Sequence, residues 1–150
     1  LDFHTIDFFN FIRPRDENIQ TAISDIDGER DMYFFHNRSS INSLSSHKKQ
    51  KPKEIKKIQT KTLNSVIENS KFKNKKINFL NIDTEKTELD VLKSLNFKKY
   101  KPELICVEIQ HRGSSPKNKK QLKSHPVYLF LRRKKYKIIW RKEYSIIFSS

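Results

Sequence analysis

Glycine is nearly missing from this sequence, whose 150 residues contain only Gly28 and Gly113. A loop that cradles phosphate or a nucleotide needs several glycines close together, so that backbone N–H groups can approach the ligand. No such loop can be assembled here. Cysteine is scarcer still: Cys106 is alone, inside the apolar run LICVEI. That excludes an internal disulfide and a cysteine-rich zinc site, and leaves the reading of a buried, reduced thiol. Long apolar runs are absent as well. No segment approaches the roughly 20 residues that span a bilayer, and the start lacks the basic, apolar and small-residue order of a secretion signal. We therefore expect a soluble, cytoplasmic protein with no membrane span. Acids are outnumbered, with 17 Asp and Glu against 32 Lys and Arg and a formal net charge of +15. Such an excess ordinarily points to phosphate-bearing partners. The lysines, however, are scattered over HKKQKPKEIKK, KFKNKK, KNKKQLK and RRKKYK instead of lining one element, so nucleic acid is not an expected partner.

What is present suits one α/β domain over residues 1–150, a length that supports one core but not two comfortable ones. LDFHTIDFFNFI reads as the tail of a strand followed by one helical turn, stopped at Pro14. The runs NIQTAIS and RDMYFFH alternate, and Asp27-Gly28 between them predicts a β-hairpin. NRSSINSLSSHKKQKPK has no periodicity and reads as an exposed loop with Ile41 and Leu44 tacked down. EIKKIQTKTL is expected to be a strand. Thr62 then caps a helix that presents Leu63, Val66 and Ile67 on one face.

After the basic connector KFKNKK, the run INFLNI predicts a strand. The segment behind it takes helical spacing, with Leu89 and Leu92 three apart and Val91 and Leu95 four apart. LICVEI, a continuous apolar run, reads as a strand covered on both faces. This alternation predicts a right-handed parallel α/β unit. HPVYLFLRRKK adds a short helix presenting Val127, Phe130 and Leu131, while YKIIW and YSIIFSS predict an appended antiparallel pair.

Asp83, Glu85 and Glu88 fall within six residues, where the strand INFLNI hands over to the helix. In open parallel sheets ligands collect beyond the carboxyl ends of the strands. Asp83 would end one strand and Glu108 the next, which places these four acids on a functional rim. Acids in a first helical turn are also stabilised by the helix dipole alone, by a few tenths to about 1 kcal/mol each.

The order INFLNIDTEKTELDVLKSLNFKKYKPELICVEI resembles the central signature of the FkbM family of S-adenosylmethionine-dependent methyltransferases. In that signature a strand ends in Asp-x-Glu-Gly-x-Glu, followed by a Leu-rich helix, a Phe-x-x-Tyr-x-Pro loop and a strand closing in Val-Glu. Asp83, Glu85, Glu88, Leu92, Phe97, Tyr100, Pro102, Val107 and Glu108 occupy those positions. RPRDENIQTAISDIDGE looks like the family's preceding strand and Ala-Ile-Ser turn, and KKYKIIWRKEYSIIF like its closing hairpin, so the likeness runs from about Arg13 onward. Lys86 stands where the family has glycine. The family's opening strand and Gly-rich turn have no counterpart, and the first residue is leucine, so we expect a processed, truncated or degenerate chain.

The resemblance implies a partial Rossmann-like class I methyltransferase sheet with a C-terminal antiparallel β-hairpin. It also implies S-adenosylmethionine as cofactor and a hydroxyl of a sugar, glycan or related small metabolite as methyl acceptor. Asp7, in HTID, corresponds to an acidic strand end that binds the cofactor ribose, and Ser24 and Asp25 to the turn near the adenine. Asp83 and Glu85 lie near the methyl-transfer centre, where Asp83 also faces the cofactor and either can take or orient the acceptor proton. Glu88 and Glu108 fall on the acceptor side, although Glu88 can instead orient the turn; His111 is a second candidate base. A carboxylate-bound divalent cation fits such a rim, but nothing in the sequence requires a metal. Two other readings stay open. One is a non-catalytic remnant of the fold serving as a binding module. The other is a basic nucleic-acid-binding protein, against which Phe34, Phe35 and Trp140 read as core residues and no reader motif is found.

Overall fold

Residues 3–35, 42–46, 51–111 and 113–150 are described by the computed structural model, and they fall into two units, Leu1–Asn74 and Lys75–Ser150. In the first unit, the apolar residues at 8, 11 and 12 follow helical spacing, not alternation, and the segment forms one continuous helix, α1 (Phe3–Ile12). The strand tail expected there is therefore absent. Phe8, Phe11 and Ile12 all remain exposed.

Strands β1 (Ala22–Ile23), β2 (Gly28–Phe34) and β3 (Glu54–Lys61) form a sheet in the order β1-β3-β2. β1 lies parallel to β3, and β2 antiparallel to it, so the hairpin expected between residues 18–24 and 30–36 does not form. The end of β3 supplies the reason. The buried Thr60 hydroxyl is shared between the carbonyls of Ile26 and Gly28, each at 3.1 Å, and the Thr62 N–H donates to Asp27 Oδ1 at 2.6 Å. These bonds wrap the Asp25–Gly28 segment around β3 instead of letting it close a tight turn. Gly28, at φ 151°, takes a conformation that suits only glycine.

Helix α2 (Leu63–Asn69) starts where expected, its N-cap Thr62 accepting from the Ser65 N–H at 3.0 Å. The expected exposed loop is partly organised: Ser43 is buried and bridges Tyr33, and Leu44 is half-buried. Ile41 lies outside the described residues.

The second unit holds β4 (Phe79–Ile82), α3 (Glu88–Lys93), β5 (Leu104–Glu108), α4 (Lys119–Lys123), α5 (Pro126–Arg133), β6 (Lys137–Lys142) and β7 (Ser145–Ser149). Its sheet runs β4-β5-β7-β6, with β4 parallel to β5 and antiparallel pairing for β5–β7 and β6–β7. A bulge interrupts β6 between Ile138 and Trp140. Ile82, Ile105, Val107, Ile146 and Phe148 alternate onto one face and are buried, as are Val91 and Leu92 of α3 and Val127 and Leu131 of α5. On the other face Leu104, Cys106 and Ile147 are only half-buried, and Phe79 and Trp140 are 54% and 46% exposed. Within this unit LICVEI is thus covered on one face, not two, and Cys106 is a partly exposed free thiol, because the helices of the unit pack against the face of Ile105 and Val107.

Phe97 and Tyr136 seal one end of this core. Their rings meet edge to face at 6.0 Å, Phe97 meets Phe130 at 5.6 Å, and the buried Tyr136 hydroxyl donates to the Pro102 carbonyl at 2.5 Å. Burial pushes the Tyr136 phenol up to about 12 from 10.0. A raised phenol favours the folded state below the unfolded value, and that contribution fades as pH climbs from about 10 to about 12. Tyr136→Phe, which strands the Pro102 carbonyl, should cost about 1–3 kcal/mol in urea unfolding at neutral pH. It should also lose less further stability than the parent chain between those two alkaline pH values. Leu92→Ala, at a side chain with 0% exposure, should cost about 2–5 kcal/mol in the same measurement.

Candidate functional site

β4 ends at the buried Ile82, and the chain then turns through five residues, 83–87, before α3 begins at Glu88. Two consecutive residues in that turn, Glu85 at φ 49° and Lys86 at φ 77°, are left-handed without being glycine. Each such residue costs roughly 1–2 kcal/mol unless its surroundings hold it. Here the hold is visible. Glu88 Oε1 reaches back to accept the Lys86 N–H at 2.9 Å, and the Thr87 hydroxyl donates to the Thr84 carbonyl at 2.9 Å. Glu88 is only 7% exposed. The glycine of the family signature is replaced by lysine, but the backbone keeps a glycine-like conformation.

Electrostatics show which acids converge. Burial, followed by the charges of Glu108, Asp83 and Glu88, raises the Glu85 carboxyl above its ordinary value. Glu88 is raised as well, first by burial and further by Glu108, against backbone hydrogen bonds that favour its ionised form. Burial and the Asp83 charge raise the Cys106 thiol. Asp83, Glu85, Glu88 and Glu108 therefore form one acidic rim where the parallel strands β4 and β5 end. Among the described residues no group of three or more His, Cys, Asp or Glu is arranged to hold a metal ion.

Beside the rim opens a cleft of about 230 Å³, lined by Lys86, Glu88, Glu108, Gln110 and His125 with Leu89 as an apolar wall. Gln110 Nε2 donates to Glu108 Oε2 at 2.9 Å, which fixes that carboxylate. His125 is the N-cap of α5, its Nδ1 accepting from the Val127 N–H at 3.3 Å. Burial lowers its pKa, and the nearby His111 adds to the effect.

Glu88 and Glu108 thus line the cleft, and Asp83 and Glu85 flank them. His111 does not line it. Its backbone is tied to Ser114 by a pair of hydrogen bonds at 2.7 and 3.2 Å. Asp7 lies exposed in the middle of α1 and not at a strand end. In the first unit, Ser24 is buried, and its hydroxyl and Arg30 Nη2 both donate to Asp25 Oδ1, at 3.0 and 2.5 Å. Burial alone would raise the Asp25 carboxyl, but these bonds and the Arg30 charge together hold it below the usual range. Sequence reasoning missed Gln110 and His125. The available signal was the His-Pro pair opening a helix, since Pro at the first helical position makes the preceding residue the cap.

Two outcomes test this geometry. Lys86→Gly should raise the unfolding free energy by up to about 1 kcal/mol, because glycine takes φ 77° without strain; a loss would mean that the lysine side chain itself supports the turn. Glu88 has a raised folded-state pKa, so its contribution is fully present below the unfolded value and is lost as pH rises through the folded one. Glu88→Gln should therefore melt higher than the parent chain at pH 7, with the difference shrinking toward pH 4.

The sequence model described as "Methyltransferase FkbM domain" matches residues 9–138, which include the whole acidic rim and the cleft but not Asp7. Neither the comparison with curated proteins nor that with solved structures finds a match. The match spans most of the chain and contains the β4, acidic turn, α3 and β5 succession in full, so the chain belongs to the FkbM methyltransferase family.

Proposed function

We propose that this chain binds S-adenosylmethionine and takes part in methylating a hydroxyl of a small acceptor such as a sugar, a glycan or a related metabolite, within the cytoplasm. The observation that carries this reading is the convergence of Asp83, Glu85, Glu88 and Glu108 beside a cleft of about 230 Å³ at the carboxyl ends of parallel strands. The donor set suits the cofactor's chemistry in part. Carboxylates accept hydrogen bonds from ribose hydroxyls and attract a sulfonium cation, and Asp83 and Glu85 would serve in these roles. The methionine end of the cofactor gains no Gly-rich cradle from a chain with two glycines. When bound, the cofactor supplies an electrophilic methyl group.

The chain's own residues would then orient the acceptor and move its proton. Glu108, fixed by Gln110, and the half-buried His125 offer hydrogen-bonding partners for acceptor hydroxyls, and Leu89 offers an apolar wall. Glu85 is the better base, because its raised pKa makes its carboxylate more proton-hungry than an ordinary one. Asp83 is exposed at the strand end and orients the attacking oxygen or shares the base role. Positioning of this kind supplies much of the rate in a transfer between two bound molecules.

A second reading, a non-catalytic binding remnant of the fold, draws on the scarcity of glycine and on Lys86 in the acidic turn. Calorimetric titration with S-adenosylmethionine and S-adenosylhomocysteine separates the two: saturable binding supports the methyltransferase reading, and a folded chain that binds neither supports the remnant. Asp83→Asn and Glu85→Gln should each lower methyl transfer by roughly 10²–10⁴-fold without lowering the melting temperature. Undiminished transfer in either variant removes that residue from the mechanism.

A further inference from the structure

Cations that are scattered along the sequence are partly gathered by the fold of the second unit. Two stretches, KKYK at residues 98–101 and RRKKYK at residues 132–137, lie far apart in the chain. The aromatic cluster that seals one end of the core joins them. Lys134 Nζ stands 5.3 Å from the centre of the Phe97 ring and 5.6 Å from that of Phe130, while Lys101 Nζ stands 5.9 Å from that of Tyr136. Each stretch thus sets a cation on a ring within or beside the other, and the Tyr136 hydroxyl, donating to the Pro102 carbonyl at 2.5 Å, closes the join.

The end of α5 keeps the second stretch on this side. The Lys135 N–H donates to the Arg132 carbonyl and the Tyr136 N–H to the Leu131 carbonyl, each at 3.0 Å, with Lys135 left-handed at φ 70°. This pair of bonds is a Schellman closure, which turns the chain back directly after the last helical turn. Arg132 and Arg133 are explained without any ligand, since cations at a helix C-terminus are stabilised by its dipole. That explanation does not reach Lys98, Lys101, Lys135 or Lys137, which lie outside the helix.

Neither stretch carries acids to offset these charges. No Asp or Glu occurs in residues 91–102 or in residues 109–142. Glu103, which follows the first stretch, is already engaged by Lys76 and by Asn78 Nδ2 at 3.0 Å. Among the described residues none of Lys98, Lys101, Arg133, Lys135 and Lys137 forms an ion pair, and all are exposed. Exposed like charges within a screening length of about 8–10 Å reinforce one another's field. The rings beneath are buried, with Phe97 and Tyr136 at 9% and 0% exposure, so they offer neither a platform on which single-stranded bases stack nor a wedge that enters a bilayer. What remains is a fixed cluster of cations. A duplex carries one phosphate charge about every 1.7 Å of its axis, so such a cluster meets several phosphates at once and releases their counterions.

We propose that this end of the second unit, built from residues 98–101 and 132–137, is a docking face for the phosphate backbone of a double-stranded nucleic acid, bound without regard to base sequence. The face does not depend on the proposed methyl transfer, since none of its residues lines the acidic cleft.

Fluorescence anisotropy of the full chain with two labelled duplexes of unrelated sequence, in salt from about 50 to about 200 mM, tests it. Both duplexes should bind with similar affinity, and log K should fall linearly with log salt, by roughly 0.9 for each phosphate neutralised. Lys98→Gln, Arg133→Gln and Lys135→Gln combined should weaken binding by roughly tenfold or more and flatten the slope by about 2–3, with an unchanged melting temperature. Lys119→Gln, Lys120→Gln and Lys123→Gln combined remove the same charge from α4 and should weaken binding by less than about threefold. Lys98→Arg with Lys135→Arg keeps the charge and should keep the affinity. Equal losses in the two triple variants reduce the effect to net charge and overturn the face, as does a loss in the arginine variant. Salt-insensitive or absent duplex binding overturns it too. So does tighter binding to the single strand, or binding to phosphatidylserine vesicles with none to either duplex.

Discussion

The bond from the Lys86 N–H to Glu88 Oε1 is what the candidate site depends on. Two successive left-handed residues let the chain reverse between β4 and α3 in a few positions, and a buried carboxylate holds the reversal closed. Without it, Glu85 and Lys86 would relax toward ordinary backbone angles, and Asp83 and Glu85 would lose their common orientation. The arrangement sets up a tension. Glu88 is buried where its charge is disfavoured, yet its ionised form is the better acceptor for the backbone. The turn is thus held by a group that the environment partly opposes, as is common where geometry serves binding more than stability.

A second tension lies in the distribution of charge. A chain of formal net charge +15 concentrates four carboxylates at one rim, where the charges of the other three add to the raised proton affinity of Glu85. The scattered lysines do not neutralise this locally. Lys86 opposes the shift of Glu85 but does not reverse it. At long range the basic surface attracts anions. Inside the cleft, at distances shorter than the roughly 8–10 Å of ionic screening, the carboxylates dominate what a ligand meets. The rim is thereby suited to hydroxyl-rich or cationic groups even in a strongly basic protein.

Much of the second unit was legible in the sequence, because there local and long-range preferences agree. The spacing of Leu89, Val91 and Leu92 yields α3, with Leu95 buried just beyond its end, the parallel β4–β5 pair follows INFLNI and LICVEI, and the acids fall at the strand ends. The first unit was less legible. Asp27-Gly28 is a strong hairpin signal locally, but the Thr60 hydroxyl and the Thr62 N–H, more than thirty residues away, claim the polar groups of that turn and insert β3 between the two expected partners. Composition misled once more at LICVEI, since an apolar run reports what could be buried on each face, not whether anything covers it. His125 and Gln110 escaped notice because they meet only in the folded cleft, as neighbours in space and not in spacing.

The bulge in β6 has a consequence beyond local geometry. With Ile138 opposite Phe148 and Trp140 opposite Ile147, Ile139 is the extra residue, and the strand bends at the outer margin of the sheet. That margin also carries Lys137, Arg141 and Lys142. A kinked, positively charged border offers a poor template for another chain's strand, because register breaks at the bulge and like charges meet on approach. Phe79 and Trp140 leave apolar surface on the sheet, but sideways growth from β6 into an extended polymer is obstructed by the backbone itself.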